Sequence, residues 1–268
     1  MATIKEMIQQ AVHDGYTDDD APAKVCQDIV LKALSESSLC RHATIKGGVV
    51  MRSITGNTRR ATQDMDIDFI RYSLSDESIH MFIEKLNCLP DFSIEQIGNA
   101  KELKQQDYHG KRIYVQITDN TGDHIKSKID LGVHKDLSIE QEEYCFDIAC
   151  YDDGANLLIN SKEQIFTEKL KSLLRLGRIS TRYKDVFDLY YLSQHVDTIK
   201  LTDCLDSMIL NNPGVRQNTL DDICDRLQKT FSAERFATHL NDAKNNWLDM
   251  DSSIVTASLI DFIRSLKN

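Results

Sequence analysis

The spacing of apolar positions changes period along the chain. "IKEMIQQAVH" (Ile4 to His13) and the run from Pro22 to Ser35 place apolar residues three and four apart, and aspartates precede a proline in the second run's first turn. Both features predict helices. "HATIKGG" then reads as a short strand entering a glycine pair. In the middle third, "DMDIDFI", "FSIEQIG", "KRIYVQIT", "HIKSKIDLGVH" and "CFDIACYD" are short, rich in Ile, Val, Tyr and Phe, and largely alternating. Period two predicts strands. Turn-like "DYHGK" and "DNTGDH" separate several of them, and one helix, about Asp76 to Cys88, interrupts the series. From Asn160 onward the strands stop. "KEQIFTEKLKSLLRLG", "YKDVFDLYYLSQHV", "LTDCLDSMIL", "TLDDICDRLQKTF", "AERFATHLNDA" and "IVTASLIDFIRSLK" all carry a helical apolar stripe. The expected class is α+β: an N-terminal mixed β-sheet core with flanking helices over residues 1–155, then a C-terminal helical bundle over residues 156–268. The change of character falls near Tyr151 to Ser161.

Composition adds limits to this picture. With 268 residues, 41% hydrophobic and 28% charged, the chain is that of a soluble protein long enough for one large or two modest cores. The N-terminus has no basic segment followed by an apolar run, and no apolar stretch approaches the ~18 residues of a membrane span. A cytoplasmic protein with no membrane partner is expected. Seven scattered cysteines, none in a CxxC pair, are expected as reduced and mostly buried thiols. Eight dispersed histidines receive no role. The formal charge of −10 argues against a protein that coats nucleic acid indiscriminately. One segment runs against it: "EKLKSLLRLGRISTRYK" carries Lys169, Lys171, Arg175, Arg178, Arg182 and Lys184 against the single acid Glu168. Taken alone, that run reads as a solvated helix face followed by a loop.

Candidate chemistry concentrates in "KGGVVMRSITGNTRRATQDMDIDFIR", Lys46 to Arg71. Asp64, Asp66 and Asp68 alternate, so a strand would point all three to one face. Like charges that close repel, and Asp is a poor strand former; a divalent cation would offset that cost. Carboxylates at i and i+2 suit Mg²⁺, which takes oxygen ligands and keeps substrate phosphates in its shell. Asp130, within the apolar "KIDLGVH", is a candidate third carboxylate from a neighbouring strand. Gly47-Gly48, between a strand and a helix start, allows close approach to a phosphate, although a tight turn needing positive φ explains a glycine pair as well.

The order "KGG…RxTxDxDxD", then "IDL", then "EKL…KDxxDL", resembles the abortive-infection (AbiEii-type) toxin nucleotidyltransferases of bacterial type IV toxin–antitoxin systems, within the polymerase-β-like nucleotidyltransferase superfamily. The resemblance covers about Ala43 to Tyr191. It matches Lys46, Gly47 and Gly48 to the glycine motif, and Arg60, Thr62, Asp64 and Asp66 to the motif that binds nucleotide and metal. Asp68 stands where an acid is optional. Asp130 matches the third carboxylate, Lys169 the "EKL" lysine, and Asp185 and Asp188 the last motif, in which Lys184 replaces a usual arginine and so lacks its two-pronged contact. The resemblance implies a nucleotidyltransferase core with Mg²⁺ on Asp64, Asp66 and Asp130. Lys169 would neutralise phosphate charge, oriented by Asp185 or Asp188. It also implies addition of a nucleotide from an NTP to an RNA acceptor, a tRNA 3′ end, along Lys171, Arg175, Arg178, Arg182 and Lys184, and a cognate antitoxin. The same chemistry on a protein or small-molecule hydroxyl, and a non-catalytic binding module, are the rival readings.

Overall fold

The structure, a computed structural model, describes residues 2–103, 110–134, 139 and 141–267. The chain divides into two compact units, Met1–Asn160 and Ser161–Asn268.

The first unit opens with α1 (Ile4–His13) and α2 (Ala21–Glu36). A capping box between Thr3 and Glu6 starts α1, and Pro22 lies in the first turn of α2. There follow β1 (Ala43–Lys46), α3 (Gly47–Thr55), β2 (Met65–Ile70), α4 (Asp76–Leu86), β3 (Phe92–Gln96), β4 (Lys101–Leu103), β5 (Gly110–Asp119), β6 (His124–His134), β7 (Glu142–Ile148) and β8 (Tyr151–Ile159). All eight strands form one mixed sheet in the order β3-β5-β6-β2-β1-β8-β7, with β4 paired to β5. β1 and β2 are antiparallel, whereas β2–β6 and β1–β8 are parallel.

Register separates the sheet into two chemically different faces. One row across β1, β2 and β6 is Ile45, Ile67 and Leu131, and the row beside it in β2, β6 and β5 is Met65, Ile129 and Ile113. All six are essentially inaccessible. Twelve of the sixteen residues of α2 are buried, more than one amphipathic stripe provides, and the helix lies against β6, β7 and β8 as a core element. The alternate rows carry charge, and they build the site described below.

Two segments depart from the expectation. "CFDIACYD" reads as one strand but contains the end of β7, the turn residues Ala149 and Cys150, and the start of β8. Ile148 pairs with Tyr151 across that turn. Cys150 adopts φ 65°, a conformation that Gly, Asn or Asp usually announces, so the turn carries no compositional signal. β8 therefore has no boundary visible in the sequence pattern; it joins the sheet interior beside β1 through Thr44–Leu158 and Ile45–Ile159. The three-residue β4 is too short for an alternating pattern, and most of the "DYHGK" turn lies outside the described residues.

The second unit comprises α5 (Lys162–Leu176), α6 (Tyr183–Ser193), α7 (Thr198–Leu205) continued by a π-helical turn at Asp206–Leu210, α8 (Leu220–Phe231), α9 (Glu234–Leu240) and α10 (Ser252–Ser265). Side-chain caps from Ser161, Asp197, Thr219 and Asp251 start four of these helices. Leu170, Phe187, Leu227, Phe236, Val255 and Ile263 are fully buried among them.

The cysteine expectation is corrected in one respect. All seven thiols are free, but only Cys26, Cys204 and Cys224 are buried; Cys88, Cys145 and Cys150 are exposed. These three sit just beyond a helix end, on the outermost strand β7, and in a turn. Among the described residues no helix is long and apolar enough to cross a membrane.

Candidate active site

A single register line crosses four strands. Lys46 at the end of β1 faces Asp66 of β2, Asp66 faces Asp130 of β6, and Asp130 faces Arg112 of β5. Residues so paired point to the same face, and the line alternates cation, acid, acid, cation. Asp68, two residues beyond Asp66, is 3% exposed and accepts a 2.7 Å bond from Lys46 Nζ. Asp64 immediately precedes β2, and its Oδ1 lies 2.5 Å from Lys128 Nζ. Arg112 grips Asp130 with two bonds, Nε to Oδ1 at 2.6 Å and Nη2 to Oδ2 at 2.7 Å. This pairing drives the guanidinium's proton affinity up.

Asp66 differs from its neighbours. Lys46, its partner on the facing strand, is the cation that favours its ionised form. The pKa of Asp66 is pushed up to about 6, chiefly by burial, with Lys46 opposing and Asp130, Asp64 and Asp68 adding repulsion. The alternating aspartates therefore add repulsion to the cost of burial, and that cost makes Asp66 hold its proton more readily than an ordinary carboxyl.

The glycine pair serves these side chains directly. Gly47 has φ 70°, and a Cβ there would come 2.3 Å from Asp66 Oδ2. Gly48 is helical, but a Cβ there would meet Thr62 Oγ1 at 2.7 Å and Thr62 Cβ at 2.8 Å. One glycine admits the carboxylate and the other admits the threonine. Together they start α3, a nine-residue helix without a side-chain cap, whose first N–H groups have no intrahelical partner. Thr62 is anchored from behind: Gln27 Nε2 donates to its carbonyl at 2.9 Å, while Gln27 Oε1 accepts from Arg52 of α3 at 2.6 Å. Arg60 ends a 3₁₀ turn at Thr58–Arg60 and is only 4% exposed.

In the second unit, α5 and α6 bring together the other matched residues. Lys169 Nζ lies 2.6 Å from Asp185 Oδ1 and 2.8 Å from Asp188 Oδ2, and Asp188 Oδ1 accepts from Trp247 Nε1 at 3.0 Å. Both aspartates thus hold the lysine, and Arg182 additionally approaches Asp185 at 3.5 Å. Of the basic run, Arg175, Arg178 and Arg182 are exposed, Lys171 and Lys184 are half-buried, and Ile179 between two of the arginines is 77% exposed.

Asp64, Asp66 and Asp130 offer only carboxylate oxygens, the donor set a hard divalent cation takes. Their charge and the raised proton affinity of Asp66 fit such an ion. Among the described residues no group of three or more His, Cys, Asp and Glu side chains is arranged to hold one; Arg112 and Lys128 take up the two outer carboxylates. Sequence reasoning missed both cations, and Gln27. Arg112 follows Lys111 and Lys128 follows Lys126 in strands of mixed charge, and only the cross-strand register says which of them faces an acid.

Among solved structures, the chain is similar to an antigenic nucleotidyltransferase-like protein from Paracoccidioides brasiliensis, at 15% identity and TM-score 0.51 over 84% of this chain and 94% of that one. It is also similar, at 12% identity and TM-score 0.42, to the antibiotic-resistance factor ANT(2'')-Ia, over 69% of this chain and 89% of that one. A search of curated proteins found no match. The first likeness makes the fold nucleotidyltransferase-like. The family described as nucleotidyl transferase AbiEii toxin, type IV TA system, matches residues 29–256. The chain belongs to that family and is a nucleotidyltransferase, and the family implies an NTP substrate and a cognate antitoxin.

Proposed function

We propose that this toxin transfers a nucleoside monophosphate from an NTP to an RNA acceptor, a tRNA 3′ end, with Mg²⁺. The observation that carries the reading is the line Lys46–Asp66–Asp130 on one sheet face, closed by a glycine pair whose missing side chains admit Asp66 and Thr62. Asp64, Asp66 and Asp130 would hold the metal, which when bound lowers the repulsion among carboxylates and phosphates. The α3 N-terminus at Gly47 and Gly48 directs backbone N–H groups to phosphate oxygens. Lys46, oriented by Asp68, keeps a positive charge beside Asp66, and Thr62, backed by Gln27, fixes the loop that delivers Asp64. Arg60, at the end of the turn before that loop, would contact the nucleotide as the resemblance implies. Asp130 takes the proton of the acceptor hydroxyl, whose oxygen attacks the α-phosphate as pyrophosphate leaves. Lys169, held by Asp185 and Asp188, supplies phosphate neutralisation as the resemblance implies.

An RNA acceptor is supported by the exposed Arg175, Arg178 and Arg182, with Lys171 and Lys184 alongside, in a chain of net charge −10. Such a run follows a phosphate backbone without reading bases. Transfer to tRNA ends would withdraw them from translation, in keeping with a toxin.

The test is incubation with Mg²⁺, each α-³²P-labelled NTP and total bacterial RNA, resolved on a denaturing gel. A labelled tRNA-sized band with one nucleotide, absent with Asp66→Ala, is the expected result. Label on protein or on a small molecule would overturn the RNA assignment and leave the chemistry. No label on any acceptor would count against catalysis and for a binding module.

A further inference from the structure

Arg112 lies opposite Asp130 on the neighbouring strand, and its fork occupies both carboxylate oxygens, at 2.6 and 2.7 Å. Asp130 is also the acid that the proposed function assigns to a divalent cation, so the same oxygens have two claimants. Lys128 stands in the same relation to Asp64. The face holds four acids, Asp64, Asp66, Asp68 and Asp130, against three cations, Lys46, Lys128 and Arg112. A divalent ion arriving at Asp66 and Asp130 would meet the guanidinium at short range in a half-buried place, where like charges are poorly screened. Relief requires another anion within reach of the arginine.

The nucleotide's phosphates are that anion. A planar guanidinium matches phosphate and carboxylate equally well, with the same two parallel donors. Arg112 keeps 29% of its side chain exposed, whereas Asp130 keeps 11%, so the arginine is the partner with room to leave. Lys46, in contrast, is enclosed at 11% and tied to Asp68 at 5%.

We infer that Arg112 is an exchangeable counter-ion and a nucleotide-binding residue: it neutralises Asp130 in the nucleotide-free protein and moves its two donors to a phosphate of the NTP when Asp130 accepts a divalent cation. The inference rests on the nucleotidyltransfer reading of this face. It makes cation and NTP binding mutually reinforcing, since each removes an obstacle to the other. Metal alone then binds weakly, and the charged face stays balanced between turnovers.

Mn²⁺ binding to the full chain, read by electron paramagnetic resonance of the free ion, tests this without turnover. It is measured alone and with an NTP analogue whose α–β bridge is methylene. Arg112→Gln keeps a hydrogen-bond donor and removes the charge. It is expected to bind Mn²⁺ alone at least about tenfold more tightly than the wild type, and to lose most of the further gain that the analogue provides. Unchanged or weaker Mn²⁺ binding, with the analogue's effect intact, would overturn the inference. Arg112→Lys, which retains the charge but only a point contact, covers the case in which the first variant does not fold. Its Mn²⁺ affinity is expected to rise about threefold, and no rise counts against the inference. Asp66→Asn separates the two levels. Loss of Mn²⁺ binding there beside an unchanged Arg112→Gln removes only the role of Arg112. Wild-type binding by Asp66→Asn overturns the metal assignment and this inference together.

Discussion

Asp66 gathers the electrostatic cost of the site, and its titration is measurable. Its folded pKa is about 6 against an ordinary 3.8. Between those values the native state holds more protons than the unfolded one, so stability is fully present below pH ~4 and is lost as pH rises through 6. In EDTA, Asp66→Asn should therefore be more stable than the wild type at pH 7 to 8, by about 1–3 kcal/mol, with the difference vanishing near pH 4. Chemical denaturation across pH reads this directly; parallel curves at all pH values would contradict it. Mg²⁺ should raise the wild-type midpoint at neutral pH and leave the variant's unmoved. On the proposed function the same substitution should abolish transfer, so stability and activity should change in opposite directions.

At the scale of elements, the junction of β1 and α3 is shaped by what the glycines lack. Gly47→Ala would combine a positive φ with a 2.3 Å approach to a carboxylate oxygen, and should cost about 2–4 kcal/mol and weaken NTP binding. Gly48→Ala collides instead with Thr62, whose own Cβ lies 2.8 Å away. Thr62→Gly should rescue that variant, so a double-mutant cycle in thermal unfolding should show coupling of about 1 kcal/mol or more; strict additivity would show that the two do not press on each other. Gln27→Leu would strand the Arg52 donor and the Thr62 carbonyl, and should cost about 2–3 kcal/mol. These contacts explain the glycine pair better than a tight turn does: only Gly47 needs positive φ, and Gly48 is there for closeness.

For the whole molecule, two units with different charge patterns divide the predictions. In the helical unit Asp188 is wholly buried and joins Lys169 to Trp247, whereas Asp185 is 6% exposed and is also approached by the exposed Arg182. Asp188→Ala should lower stability by about 3–5 kcal/mol and Asp185→Ala by less; calorimetry that ranked them the other way would refute this assignment. The family's acid pair is therefore legible as motif, but the motif does not say that one acid is a core strut.

The alternation in "MDIDFI", the helical stripes after Asn160 and the turn chemistry between strands were readable because each depends on neighbours within one element, where periods of two and 3.6 are imposed by the backbone itself. Most segment types, the α+β class and the candidate acidic residues were legible at that level, and the ordered motifs carried the family. The tertiary structure decided the rest. β8 and the turn at Cys150 carry no local signal, and strand order and parallel pairing bring residues over sixty positions apart into one line. Whether Arg112 or Lys111 meets Asp130 depends on a one-residue choice of register, which inverts every side chain of a strand and leaves no mark in its composition.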